Sequence, residues 1–293
     1  MNVVGLPAFN EEKNIAAIII KLFELGYTVI VCNDGSKDLT GEIAEKLGAV
    51  VINHSKNLGY GASIRSIFAK AKEMKCESLV TFDADGQHNV DDISKILKPV
   101  LENDADIVIG SRFINDEKSV PKYRKIGIKA ITQLTNSSLG EKITDAQSGF
   151  RAYNVKALEI INPSDLGMGI STEILIKASK NNLRIIEIPI KISYGKETST
   201  HNLVEHELSV VLSTMKFISI EQPLRFYGIP GAIFMSIGFF FIIWTLQGFA
   251  ETRQIITNIS LIGIGATILG VLFLMTSILL FSLVSVVREN HSK

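Results

Sequence analysis

The chain has 293 residues, room for one or two domains, and 46% of them are apolar. Its 30 lysines and arginines balance 30 aspartates and glutamates, which leaves no basic footprint for nucleic acid. Its two cysteines, Cys32 and Cys76, sit in apolar runs without metal-ligand spacing and read as small buried hydrophobes of a reducing compartment.

The opening MNVVGLPAFNEE has no basic region followed by an apolar stretch, so it does not read as a signal peptide and predicts a cytoplasmic N-terminal part. Strand and helix then alternate. NVVGL (2–6) is a short apolar strand, and EEKNIAAIIIKLFELG (11–26) is a helix with acids at its start and glycine at its end. TVIVCND (28–34) is the next strand, followed by a helix over LTGEIAEKLG and a strand over AVVINH. YGASIRSIFAKAKEM reads as a helix, SLVTFDAD as a strand, DISKILKPVLEN as a helix and DIVIGS as a strand. Such alternation predicts an α/β fold, a mostly parallel sheet with helices on both faces. Ligands of such sheets bind beyond the carboxyl ends of strands near a topological switch point. Pro7 to Glu11, Asn33 to Ser36 and Asp83 to Gln87 all fall there.

The first strand is followed by GLPAFNEE, not by G-x-G-x-x-G, which disfavours a dinucleotide cofactor, and no P-loop pattern is present. NLGYGAS (57–63) is glycine-rich and opens a helix, where backbone amides could face a phosphate. In FDADGQH, Asp83 and Asp85 are one residue apart at a strand end, which would aim both carboxylates to one face. Their repulsion is relieved by a divalent cation shared with a substrate phosphate, and Gln87 can add an oxygen. The alternative is a turn in which these aspartates cap backbone amides.

Near residue 224 the composition changes. Phe226–Ala250 and Ile255–Val287 carry no charge, and each exceeds the roughly 20 apolar residues that cross a bilayer. ETRQ joins them, so the two runs predict a transmembrane hairpin over 224–293. Lys216 and Arg225 before it, and Arg288 and Lys293 after it, place both ends on the cytoplasmic side. Gly263, Gly265 and Gly270 in the second run suit self-association of the helices into a homo-oligomer. Residues 203–223 carry apolar positions at helical spacing and predict an amphipathic helix, on the membrane surface or against the preceding domain of residues 1–202.

GLPAFNEE, NDGSKDLT, NLGYGAS, FDADGQH, GSRF and DAQSGFRAY stand in the order and spacing of the family 2 glycosyltransferases. The chain resembles the branch that makes polyprenyl-phosphate sugars, with the resemblance covering about residues 1–220. It implies a GT-A fold and transfer of a sugar from a GDP- or UDP-sugar (mannose, glucose or N-acetylglucosamine) to dolichyl or polyprenyl phosphate with inversion. It implies Mg²⁺ or Mn²⁺ on Asp83, Asp85 and Gln87. The nucleotide-sugar site it implies comprises Pro7, Ala8, Asn10, Glu11, Asp34, Gly59, Asp83, Ala84 and Asp85, with Asp34 on the base. An acceptor-phosphate arginine falls at Arg112, a second maps to Arg124, and Gln147 and Ser148 face the acceptor; Asp85, Arg112 and Arg124 carry catalysis.

Arginine suits that role because its planar fork grips phosphate bidentately. A lipid phosphate is already an anionic nucleophile and needs positioning rather than a general base. Arg151 is a further candidate, or else a structural ion pair; Lys122, Lys125 and Lys129 lie near Arg124, whose alternative is a solvated basic helix face. Glu173 is an acid beside the nucleotide or its loop, or the start of a helix. His88 reads as a turn residue before an outer-shell ligand. The polar stretch 194–202, with Gly195, Lys196 and His201, occupies the place of a mobile loop in the family. The rival readings are a transferase onto a hydroxyl acceptor, which would need a carboxylate base, and a non-catalytic membrane scaffold.

Overall fold

The computed structural model describes residues 1–114, 122–136, 139, 142–192, 215, 219–220, 222–254 and 256–291, with the side chains of 122–124, 126, 134 and 286–291 outside that description. The chain divides into two units, Met1–Thr214 and Met215–Lys293. In the first, seven strands form one sheet: β1 (Asn2–Ala8), β2 (Thr28–Asn33), β3 (Val50–Asn53), β4 (Ser78–Thr81), β5 (Ile107–Ser111), β6 (Arg151–Asn154) and β7 (Ile185–Pro189). Their order is β3-β2-β1-β4-β6-β5-β7. All pairs are parallel except those of β6, which is antiparallel to both β4 and β5. The expected mostly parallel α/β sheet is present, and the antiparallel β6 is new.

Alternate residues of each strand feed the two faces, as the two-residue period of a strand requires. Val4, Leu6, Val29, Val31, Val80 and Phe82 pack under α1 (Ile15–Glu24) and α4 (Ile93–Leu101). Val3, Ile30, Cys32, Leu79, Ile107 and Tyr153 pack under α3 (Tyr60–Glu73), α6 (Val155–Ile160) and α7 (Ile170–Lys180). The remaining helices of this unit are α2 (Thr40–Lys46) and α5 (Lys122–Asn136). Helix α1 shows why its sequence folds so: Ile15, Ile18, Ile19 and Leu22 recur at helical spacing and are buried, each burial stabilising by about 1.5–3 kcal/mol. A charge at Ile19, fully buried, would break it.

This topology assembles the site. The winding runs outward from β1 to β3 and then returns to β4 on the other side of β1, so the switch point lies between the carboxyl ends of β1 and β4. Because β6 runs backward, its first residue, Arg151, pairs with Thr81 of β4 and Ile109 of β5. The segment leading into β6 therefore arrives at the same edge.

The second unit has a short helix, Pro223–Phe226, and two long ones, Gly228–Thr252 and Thr257–His291. Two stretches, Pro223–Thr252 and Thr257–Ser285, are long and apolar enough to cross a membrane, with mean hydropathies of 2.0 and 2.5. Arg253, in the left-handed conformation, ends the first helix, and its N–H donates to the Phe249 carbonyl. The two helices pack antiparallel through small residues. A Cβ at Gly231 would lie 2.9 Å from Leu274, one at Gly263 3.2 Å from Ile242, and one at Gly270 2.7 Å from the Met235 backbone. Gly263 and Gly270, expected to serve self-association, thus serve contact within the hairpin; Gly265 has nothing within 4 Å.

The expected amphipathic helix over 203–223 lies outside the described residues save for 215, 219–220 and 222–223, and so does the polar stretch 194–202. Lys216 and Lys293, and the side chain of Arg288, fall outside them as well.

Candidate active site

The loop after β1 and the loop after β2 are laced together. Asn10, at φ 58°, donates its N–H to Ser36 Oγ (3.0 Å) and accepts from the Lys37 N–H (2.9 Å) through its side chain. Glu11 N–H donates to Thr40 Oγ1 (2.8 Å), and Glu12 N–H to Asp38 (3.2 Å). Of the expected nucleotide residues here, Asn10 is exposed and Pro7 and Glu11 are half-buried. Ala8 and Ala84 are core residues, 3% and 2% exposed, and the Ala8 carbonyl accepts the Asp34 N–H (2.9 Å).

Strand β4 stops at Thr81, so Asp83 and Asp85 lie in the turn beyond it and strand alternation does not set their direction. Position in the turn brings them together instead. Burial, then the charge of Asp83, pushes the Asp85 carboxyl above its usual range, against a hydrogen bond from the Gln87 N–H (3.0 Å). Burial also raises Glu11, opposed by the Asn14 amide (3.0 Å) and reinforced by the charges of Asp85, Asp38 and Asp83. Asp83 has His88 Nε2 at 3.7 Å, and among the described residues no lysine or arginine pairs with Asp83, Asp85 or Glu11. Burial and the Asp83 charge drive the Tyr60 phenol well above its usual value. Gly149 closes against them: a Cβ there would lie 2.5 Å from the Tyr60 hydroxyl and 2.8 and 2.9 Å from the Asp83 oxygens. His88, expected in a turn, has a ring only 7% exposed, packed on Phe82 and Phe150.

Asp34, at the β2 end, is 4% exposed. Its carboxylate accepts from His54 Nδ1 (2.6 Å), the Leu58 N–H (3.0 Å) and the Gly59 N–H (2.8 Å). The Ala62 N–H donates to the Leu166 carbonyl (3.2 Å). The glycine-rich loop therefore directs the amides of residues 58, 59 and 62 to protein acceptors, which corrects the expectation that they face a phosphate. Gly59 holds φ 100°, and a Cβ there would lie 2.7 Å from the Leu166 carbonyl oxygen. Glu173, fully buried, fixes that covering loop: it accepts from Ser164 N (2.8 Å), Ser164 Oγ (2.6 Å) and Asp165 N (2.7 Å), and pairs with Lys177 (2.6 Å).

On the β5 side, Arg112 forks onto Asp145, Nε to Oδ2 at 2.6 Å and a terminal nitrogen to Oδ1 at 2.7 Å. Asp145 is fully buried, and the Arg112 side chain is 16% exposed. Glu187 of β7 accepts the N–H groups of Thr144 (2.7 Å) and Asp145 (3.0 Å), and Thr132 of α5 accepts that of Ala146 (3.1 Å). Burial raises the Glu187 carboxyl despite these bonds. Lys129 lies over the Phe113 ring at 6.0 Å.

Three acceptor-side expectations change. Arg151 is 1% exposed and donates to the carbonyls of Ser171 and Ala146, both at 2.8 Å, so it is a strut rather than a phosphate ligand. Ser148 is 2% exposed and lines, with Tyr60 and Arg151, a small cavity behind Asp83 rather than the surface. Gln147 donates to Thr172 (3.3 Å). The side chains of Arg124 and Lys122 lie outside the described residues. Asp145, His54, Tyr60 and Glu187 are not singled out by the sequence, although Asp145 stands inside DAQSGFRAY and Tyr60 inside NLGYGAS.

The donor set fits a hard divalent cation: clustered carboxylate oxygens, with burial holding Asp85 and Glu11 above their usual range, and an adjacent amide. Among the described residues no three His, Cys, Asp or Glu side chains close on one point, so such an ion would complete its shell with other oxygens.

A model of the family described as Glycosyl transferase family 2 matches residues 3–161. The UDP-N-acetylglucosamine--dolichyl-phosphate N-acetylglucosaminyltransferase of Methanococcus voltae is 35% identical over 211 residues, 64% of this chain and 84% of that one. The dolichyl-phosphate hexose transferase of Haloferax volcanii is 30% identical over 64% of this chain and 80% of its own. Among solved structures, glucosyl-3-phosphoglycerate synthase from Mycobacterium tuberculosis, in complex with Mn²⁺, UDP and glucosyl-3-phosphoglycerate, superimposes with a TM-score of 0.58 at 19% identity, over 74% of this chain and 79% of that one.

Proposed function

Because the chain belongs to glycosyl transferase family 2, in the branch of the dolichyl-phosphate sugar transferases, we propose that it moves a sugar from a nucleotide sugar to the phosphate of a dolichyl or other polyprenyl phosphate. The observation that carries the reading is the gathering of Asp83, Asp85 and Glu11, with no lysine or arginine paired to them among the described residues, at the same sheet edge as the Arg112–Asp145 fork. Asp83 and Asp85, with Gln87, would hold Mg²⁺ or Mn²⁺, which supplies charge neutralisation to the leaving diphosphate. Asn10, Glu11 and the backbone at Pro7 and Ala8 line the donor side, and Asp34 shapes it. Arg112, oriented by Asp145, aims the acceptor phosphate, with Arg124 as a second cation.

In the reaction, an anionic oxygen of the lipid phosphate forms a bond to the anomeric carbon, and the bond from that carbon to the nucleoside diphosphate breaks with its electron pair. No proton has to be removed, which is why the site needs an arginine there rather than a carboxylate base. Attack opposite the leaving group inverts the anomeric centre. The two apolar helices keep the enzyme at the bilayer, where the isoprenoid tail must remain, with the sheet domain and both chain ends on the cytoplasmic side. The 35% identical relative makes UDP-N-acetylglucosamine the first donor to try.

The test is transfer by the full chain in detergent, with Mn²⁺, a short polyprenyl phosphate and a panel of radiolabelled UDP- and GDP-sugars. An organic-soluble product that disappears with EDTA supports the reading. Metal-dependent donor binding without transfer to any polyprenyl phosphate would shift the acceptor to a hydroxyl.

A further inference from the structure

The strand β3 ends at Asn53, and the next residue, His54, takes no part in the reading above. Its ring is 10% exposed and sits between two partners. Nδ1 lies 2.6 Å from Asp34 Oδ1, and Nε2 lies 2.9 Å from Ser66 Oγ of α3. A carboxylate only accepts, so Nδ1 carries a hydrogen and donates it to Asp34; a neutral ring then accepts at Nε2 from the Ser66 hydroxyl. Asp34 passes the constraint on, because the same carboxylate accepts the Leu58 and Gly59 amides immediately before α3. The order is thus Ser66, His54, Asp34, then the turn at residues 58–59.

The trio of Asp34, His54 and Cys32, whose Sγ lies 3.6 Å from Nε2, has the outline of a nucleophilic triad. Cys32 is fully buried, and burial with the nearby Asp34 charge pushes its thiol up to about 11, so it stays a packed thiol. The Asp34 carboxylate at Nδ1 sets the tautomer, and Ser66 Oγ at Nε2 is the second partner that holds the ring in place.

We propose that His54 is a positioning residue for the donor nucleotide: it holds the Asp34 carboxylate, and through it the Leu58–Gly59 turn, in the conformation that binds the nucleoside end. This rests on the transferase reading, which puts the nucleotide at this end of the sheet. Asp34 has about four acceptor positions, three of them taken within the protein. Without His54 the carboxylate is free to rotate, and both the turn and the face offered to the base lose definition.

The experiment compares His54→Ala, His54→Asn and His54→Gln in the full chain. The Asn side-chain nitrogen overlays Nδ1, and that of Gln overlays Nε2. The expected pattern is a roughly tenfold higher donor KM and weaker UDP binding in H54A and H54Q, with kcat within about twofold. H54N restores KM to near the wild-type value. Amide hydrogen exchange needs no donor: at Leu58 and Gly59 it should speed up at least about tenfold in H54A and return in H54N. Unchanged exchange in H54A overturns the clamp. Faster exchange with an unchanged donor KM overturns its role in donor binding. A fall in kcat in H54A and H54N alike, with KM unmoved, points to ring packing and overturns the proposal too. If the wild-type chain binds neither UDP nor GDP with Mn²⁺ present, the transferase reading itself fails, and the exchange data still report on the clamp.

Discussion

At the ends of β1 and β4 three carboxylates lie near one another with no lysine or arginine paired to them among the described residues, whereas at the end of β5 one arginine is locked to one carboxylate by two short hydrogen bonds. In the first arrangement burial and neighbouring charge raise Asp85 and Glu11 against smaller opposing effects of hydrogen bonds and of His88, so added positive charge would relieve it. The second is already neutral as a pair, and its value lies in direction: the guanidinium plane is fixed before any phosphate comes. One side is suited to an added cation, the other to a geometry it already has, so the same class of substitution should act oppositely on the two.

Asp85→Asn is expected to give the largest effect. It removes an anion that the proposed metal needs, so transfer should fall by about 10²–10³-fold, the range for losing a preorganised electrostatic group. The folded protein should become more stable, because repulsion and a desolvated charge both vanish; about 1 kcal/mol would raise Tm by roughly 2–4 °C. A transfer assay and a thermal scan test both signs, and a lowered Tm would remove the contrast with the β5 side.

Arg112→Ala should lower activity and stability together. It leaves the fully buried Asp145 uncompensated, at a cost of about 3–5 kcal/mol. Arg112→Lys keeps the charge but not the fork, and should retain more stability while raising the acceptor KM. Thermal unfolding and acceptor titration decide the case; equal behaviour of the two variants would mean the planar geometry is unimportant.

Gly149→Ala sharpens the comparison at smaller scale. Its methyl group must displace the Tyr60 hydroxyl or the Asp83 oxygens. A stability loss of about 1–3 kcal/mol should accompany about tenfold weaker Mn²⁺ binding by calorimetry, with the acceptor KM unmoved.

Glu173→Gln tests the loop over Gly59. Burial works against the Glu173 charge, but Lys177, Ser164 and the Asp165 amide outweigh it and hold the carboxyl below its ordinary value of 4.5. A group depressed on folding contributes stability above its unfolded value and loses it as pH falls through the folded one. Wild-type Tm should therefore decline below about pH 4.5 more steeply than that of the Gln variant, which at pH 7 should be less stable by about 1–3 kcal/mol. Parallel Tm–pH curves would show that Glu173 contributes nothing through its charge.

On the proposed function the sheet has a donor half and an acceptor half, and the donor half was legible because its signals are local. The strands at 2–8, 28–33, 50–53, 78–81 and 107–111 each lie in a short apolar run, and the helices between them repeat at helical spacing. The acceptor half depends on pairs distant in sequence. Nothing beside Arg112 announces Asp145, and nothing in SGFRAY tells that Arg151 turns inward to two carbonyls while Arg112 stays at the surface. Strand β6 has four residues, too few to show a period, and its reversed direction follows from the sheet alone. Asp34 was legible as a residue of interest, but its three internal donors come from 20 to 25 residues away.

The Arg112–Asp145 fork joins two residues 33 positions apart, and so closes the excursion between β5 and β6 at its base. A segment tied off in this way can change length and composition while its two ends stay where they are. The entropy of closing a loop grows only logarithmically, about 0.6 kcal/mol for each doubling. On the proposed function, relatives of this chain could therefore diverge in their second substrate by rewriting the tethered segment, with the ends of β1, β2 and β4 left in place. In evolutionary terms the fork is a seam: a change in length on one side of it leaves the other side in place.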